Sequence, residues 1–363
     1  MLLYQIAITL IPGIGDINAK KLIAYCGSAE AVFQEKKTNL MKIPGMGKAT
    51  VESIKSAQTL ERAEQEIDFI EKNNIRTYYY LDKSFPQRLK HCIDSPVLIY
   101  LKGNADLNCK YVVGMVGTRR ATEYGRDMCE SLLHDLADLD VLVVSGLAYG
   151  IDTQSHKSAL DNGLKTVGVL AHGLDRVYPN QNYALSRKMM EQGGLLSDFM
   201  SGTNPDRENF PKRNRIIAGL CDALVVVESA KKGGALITAN IANSYNRDVF
   251  AVPGRINDLY SEGCNYLVKT NKAALIQSAD DLKYIMQWDS KSTNAAIQTK
   301  LFRELNKEED IVMDILKENG ETSIDFIVLQ SKLSNSKIAA ILLNLEFDGL
   351  VKSLPGKMFR SHP

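Results

Sequence analysis

The chain has 363 residues, 45% of them hydrophobic and 24% charged, which gives it length for two or three domains and the composition of an ordinary soluble globular protein. Its formal net charge of +1 excludes a generally polycationic nucleic-acid coat, although a local basic groove remains compatible with it. Six scattered cysteines without CxxC spacing argue against zinc and disulfide frameworks, and for buried thiols in a reducing compartment.

The N-terminal MLLYQIAITLIPGIG is apolar but lacks a basic leader, and IPGIG interrupts it where a signal peptide would place its cleavage site. No run of about 18 apolar residues exists to span a bilayer. The expected location is cytoplasmic, with no membrane partner. Residues 1–75 contain an internal repeat: IPGIGDINAKKLI (11–23) and IPGMGKATVESIKSA (43–57) share I-P-G-x-G followed by a helical stretch. Two helix-hairpin-helix units look like this. Their glycines permit a tight turn, and the N–H groups at the next helix start can face a phosphate. Simple packing as a small helical domain explains the pair equally well. GKAT (47–50) is not a Walker A loop, because Lys42 stands where that motif needs glycine.

After a charged helix, the stretches within 78–104 read as short strands leading into a central region. Across about 106–286, the runs YVVGMVG, VLVVSG, TVGVLA, LLSDF, ALVVVES and DVFAVPG alternate with amphipathic helical segments. Continuous Val/Leu runs of this kind build a parallel sheet covered on both faces. The expected fold class is α/β, a Rossmann-like, doubly wound, mostly parallel sheet over 76–287. Ligands of such sheets bind at the carboxyl ends of the strands. A polar linker (288–300) precedes 301–363, where three helices and a hairpin predict a winged-helix-like domain. Its recognition helix carries only Lys337 as a cation, which leaves a protein-binding or DNA-neutral role open.

Four loops at the predicted strand ends share one chemistry. GTRR (117–120) offers Gly117 for close backbone approach and Arg119 as a fork for phosphate. SGLAYGID places Ser145 and Gly146 at a turn into a helix. FPKRNR sets Phe210 beside Lys212, Arg213 and Arg215, and ESAKKGG carries Lys231 and Lys232 before Gly233 and Gly234. Cations spread over several loops suit a polymer backbone better than a mononucleotide. No complete GxGxxG or Walker A motif is present. Phe210 adds a stacking platform for unpaired bases.

Catalytic and metal readings find little support. Ser145, Asp152 and His156 contain the letters of a triad, but Val143 occupies the glycine position of a nucleophile elbow. His172 follows a strand and could touch a ligand or serve the structure. Asp198, Asp222 and Glu228 form no metal-spaced cluster. No catalytic residue, metal or nucleotide cofactor is expected.

In order and spacing, VGTRR, VVSGLAYGID, VLAHGLDRVYP, FPKRNRIIAGL, VVVESAKKGGALITANIA and VFAVPG resemble the DNA-processing protein A (DprA/Smf) family. The resemblance implies a bacterial single-stranded-DNA-binding recombination mediator of natural transformation. Such a protein loads the RecA recombinase, helps relieve the barrier posed by single-strand-binding protein, and dimerises through the Rossmann-like domain. By motif match, DNA binding falls to Arg119, Ser145, Gly146, Phe210, Lys212, Arg213, Asn214, Lys232 and Gly233. Residues 262–276 resemble the part of the family core near its dimer-forming surface. The alternative is a nucleotide-processing hydrolase of the same superfamily, but KKGGALITAN lacks the Gly-Thr-x-x-Glu of those enzymes.

Overall fold

Chain order begins with helices α1 (Leu2–Thr9), α2 (Asp16–Cys26), α3 (Ala29–Gln34), α4 (Lys37–Leu40), α5 (Lys48–Lys55) and α6 (Thr59–Lys72). Strand β1 (Arg76–Tyr79), helix α7 (Gln87–Lys90) and strand β2 (Leu98–Gly103) follow. The alternating region then gives β3 (Val112–Val116), α8 (Glu123–Asp135), β4 (Leu142–Ser145), α9 (Ile151–Asp161), β5 (Thr166–Val169), α10 (Tyr183–Gln192) and β6 (Gly194–Ser197). It ends with α11 (Asn209–Leu220), β7 (Ala223–Val226), α12 (Gly234–Ser244), β8 (Asp248–Ala251), α13 (Glu262–Lys269), β9 (Ala274–Leu275) and α14 (Ala279–Met286). The computed structural model describes residues 1–55, 59–288 and 305–361. The expected linker at 288–300 falls almost wholly outside them.

Six of these strands coincide with the six predicted Val/Leu runs. They form one nine-stranded sheet in the order β1-β2-β6-β5-β4-β3-β7-β8-β9. Every pair from β6 through β9 is parallel, whereas β2 joins β6, and β1 joins β2, antiparallel. Alternation along each strand divides the core. Val112, Val116, Val144 and Val226 pack with Ile216, Ile217 and Ala239 of α11 and α12 on one face. Val113, Met115, Val143 and Val225 pack with Leu132, Ile151 and Leu282 of α8, α9 and α14 on the other. Burial on both sides is why these runs are apolar throughout rather than alternating.

Strand order sets the place of the site. From β3 the chain winds outward through β4, β5 and β6, then returns to β7 on the opposite side of β3. The loops after β3 and β7 therefore part at a switch point, which opens a crevice at the carboxyl edge.

Residues Met1–Trp288 are one compact unit, and Asp289–Pro363 are a second. Within the first, Leu22, Ile23, Val51 and Ile70 of the N-terminal helices share a hydrophobic cluster with Val97, Leu98, Leu170 and Leu195. A continuous core thus crosses the boundary expected near residue 75. In the second unit, α15 (Lys307–Asn319), β10 (Thr322–Ser323), α16 (Ile324–Ser331) and α17 (Asn335–Phe347) precede the hairpin β11 (Val351–Leu354) and β12 (Met358–Ser361). Val312, Leu316, Ile327, Ile338, Leu342 and Leu345 form its separate core. This is the expected winged helix, with one short strand, β10, that the sequence did not reveal. No single helix among the described residues is long and apolar enough to cross a membrane.

Candidate nucleic-acid interface

At the switch point the Thr118 N–H donates to the Glu228 carbonyl at 2.8 Å, tying the loop after β3 to the loop after β7. A cleft of 340 Å³ opens above them, and Arg119, Phe210, Arg213, Asn214, Lys232 and Gly233 contribute to its wall. Six of the nine expected residues therefore converge from three loops. Arg119 and Lys232 are exposed. The Arg119 guanidinium lies over the Phe210 ring, 5.2 Å from its centroid. Gly233 is the extended N-cap of α12, whose first turn carries no acidic residue. Unbonded N–H groups there sit beside Lys232, which suits a phosphate. The Glu228 carboxylate is turned to Thr122, accepting from its hydroxyl and its backbone N–H.

Arg213, although it reaches the cleft wall, and the three remaining expected contacts are engaged differently. Arg213 is only 4% exposed. Its guanidinium donates to the carbonyls of Gly146 (2.5 Å) and Val169, and its Nε donates to Asn214 Oδ1 at 3.2 Å. Burial pushes the Arg213 pKa down to about 10, although the Asp152 carboxylate favours the charged form. Burial pushes the Asp152 carboxyl up in turn, with Arg213 opposing the shift. This arginine fastens the ends of β4 and β5 together from beneath the cleft. The phosphate contact expected of it is corrected to a supporting role.

Ser145 is corrected in the same sense, while Gly146 keeps a place beside the cleft. The Ser145 hydroxyl is fully buried and donates to the Met115 carbonyl at 2.6 Å. Gly146 is buried as well, and a Cβ there would lie 2.5 Å from Arg213 Nη1 and 2.6 Å from Asp152 Oδ2. Glycine is needed to fit between the Arg213 guanidinium and the Asp152 carboxylate, and it also lines the crevice beside the cleft. Gly150 is glycine for a backbone reason: at φ 77° it opens α9, and a Cβ would strike the Thr118 carbonyl. Lys212 is exposed but lines a different groove, of 820 Å³, with Ile17 and Arg215, and it lies 3.6 Å from Glu208.

Arg215 explains why. It pairs with Asp198 and Asp16 at 2.8 Å each and donates to the Asp94 carbonyl. Burial opposes its charge, but Asp198 and Asp16 outweigh it and hold the pKa above the ordinary value. Asp16 begins the helix after the first IPGIG, and it also accepts from the Val97 N–H at 2.8 Å. The first repeat is therefore a docking element whose helix start is occupied. The second differs at its helix start, where Lys48 stands exposed in the place of Asp16.

The triad letters are not assembled, since His156 Nδ1 meets Thr166 Oγ1 at 2.7 Å. Burial, with the charge of Arg213, pushes the His156 pKa down to about 3. His172 is 1% exposed, with Nδ1 against the Gly173 carbonyl. Among the described residues no group of His, Cys, Asp and Glu could hold a metal ion. The sequence reading missed Tyr149 and Tyr178, which line a crevice beside the cleft with Arg119 and Phe210. The signal was one exposed aromatic in each of two strand-end loops.

Comparison with known proteins bears on the same loops. Residues 76–287 match the family DNA recombination-mediator protein A, and residues 299–357 match the DprA winged helix domain. The chain belongs to the DprA/Smf family. The Smf protein of Synechocystis is 31% identical over 98% of this chain and 98% of its own. The crystal structure of DprA from Streptococcus pneumoniae superposes with a TM-score of 0.68 at 33% identity, covering 78% of this chain and 98% of that one. A Helicobacter pylori DprA structure, described by its single-stranded DNA binding mode, gives a TM-score of 0.53 at 26% identity over 59% of this chain and 95% of that one. The DprA/Smf core thus accounts for the nine-stranded sheet, and the family's winged helix accounts for the second unit.

Proposed function

We propose that this chain binds single-stranded DNA across the β3/β7 cleft and acts as a recombination mediator. One observation carries the reading: Arg119, Lys232, the open start of α12 and the Phe210 ring converge on one cleft at the switch point. A strand of phosphates needs fixed cations and free N–H groups, and unpaired bases need rings. Support comes from the family, and from the Helicobacter pylori relative described by its binding of single-stranded DNA.

In this reading the protein acts in the cytoplasm, receives incoming DNA during natural transformation, and passes it to a RecA-type recombinase past single-strand-binding protein. It performs no catalytic step and uses no metal or nucleotide cofactor. Two copies associate through the β8–β9 side of the sheet, where Ile256, Leu259, Tyr266 and Leu275 are exposed apolar side chains. Those residues flank or fall within 262–276, the stretch that resembles the family's dimer-forming surface.

The test is fluorescence anisotropy with a single strand, a duplex and mononucleotides at two salt concentrations. Preference for the single strand, steep salt dependence, and retention of binding in chelator without ATP are expected. Equal affinity for duplex, or tight binding of a mononucleotide, would overturn the reading.

A further inference from the structure

The ring that the sequence singles out is already engaged. The guanidinium carbons of Arg119 and Arg213 lie 5.2 and 6.0 Å from the centroid of Phe210. Arginine over an aromatic face uses the surface on which a base would stack. Beside it stands a second ring: Tyr178, on the loop after β5, lies 6.1 Å from Phe210 with an interplanar angle of 59°. A tilted contact does not cover the Tyr178 face as a stacked one would, and Tyr178 is 45% exposed. Tyr149, on the loop after β4, is 41% exposed, and its hydroxyl donates to Gln181 Oε1 at 2.6 Å. That bond links its loop to the one carrying Tyr178.

The three rings share a crevice with Arg119 that encloses only 20 Å³. Such a space holds about one water molecule and no base. Bases therefore lie on the rings rather than between them. The crevice adjoins the cationic cleft, because Arg119, Ala148 and Phe210 line both.

We propose that Tyr178 and Tyr149 are the base-stacking platforms of the site, and that they carry the unpaired strand away from the cationic cleft across the loops after β4 and β5. Phe210 then serves chiefly to hold Arg119 in place. The proposal rests on the reading of the cleft as a single-stranded DNA site, and it adds the direction of the strand and the residues that meet its bases. The ligand class is unpaired nucleobase of any sequence, since every base offers a π-face.

The experiment compares the full-length protein with Tyr178→Ala, Tyr178→Phe, Tyr149→Ala and Arg119→Ala on two probes, an oligothymidylate and a strand of equal length with abasic sites. Tyr178→Ala should weaken oligothymidylate binding about 5- to 150-fold, the range of one lost stack. Tyr149→Ala should act in the same direction. Tyr178→Phe should bind as the unmodified protein does, and the abasic strand should not distinguish the tyrosine variants from it. Iodouracil photocrosslinking of the unmodified protein should attach the strand at Tyr178 or Tyr149, which keeps the test open if an alanine variant folds poorly. If Arg119→Ala loses affinity while both tyrosine variants keep it, and crosslinks fall elsewhere, the row is wrong and the cleft stands. If Arg119→Ala also binds normally, the reading of the cleft itself has failed.

Discussion

Helix α11 covers a face of the central sheet and α17 is the recognition helix of the winged helix, and they use their cations in different ways. Helix α11 carries Lys212, Arg213 and Arg215 within one turn, and the three have three fates: Lys212 exposed in a neighbouring groove, Arg213 buried under the cleft, and Arg215 clamped between two aspartates. Helix α17 carries Lys337, which pairs with Glu308 at 2.7 Å. Its exposed residues also include Ala340, Leu343, Asn344 and Phe347, with Leu343 53% and Phe347 76% exposed. Residues 305–361 hold seven cations against nine carboxylates, so this unit carries no excess of positive charge. The difference teaches that cations mark a binding surface only where the fold leaves them without a counter-charge.

The sharpest way to break this comparison is Arg213→Ala. It should cost about 3–5 kcal/mol of stability in urea unfolding, because two buried backbone carbonyls would lose their donor and buried Asp152 the positive charge near it. Unchanged stability with a flatter salt dependence of DNA binding would return Arg213 to the DNA-contacting set. Acid should probe the same buried cluster through His156. Folding depresses its pKa from 6.5 to about 3. Its contribution is therefore complete above about pH 6.5, where both states are neutral, and is lost as pH falls toward 3, since only the unfolded chain takes up the proton. The expected loss is about 1.4 kcal/mol per pH unit in that window, and His156→Asn should remove this part of the slope in urea titrations at several pH values.

Arg119→Ala should act on binding alone. Its exposed guanidinium supports no buried group, so the melting temperature should hold while log Kd against log salt flattens by about 0.7. A fall in melting temperature without a change in slope would make Arg119 structural. Lys337→Ala should do least. Losing an exposed pair costs about 0–1 kcal/mol, and affinity for single-stranded DNA should not move. A loss of affinity with a flatter salt dependence would place DNA on α17 and erase the contrast.

Much of this architecture was legible in the sequence. The Val-rich runs had to be strands buried on both faces, the segments between them had to be covering helices, and glycine and cations at four strand ends pointed to one edge of one sheet. Six expected residues do meet in the cleft there. What the sequence left open was the rotation of each side chain about its helix and the identity of its partner. Arg213 bonds to a carbonyl 67 positions away and Arg215 to a carboxylate 199 positions away, so neither burial could be read from local pattern. The two I-P-G-x-G repeats make the same point, since only the first meets Arg215. Local sequence determined which elements form and which residue types gather at the sheet edge, because propensity and periodicity act over a few residues. Tertiary structure decided which charges remain free, because a charge is neutralised by whatever the fold brings within a few ångströms, and that depends on chain crossings no short window contains.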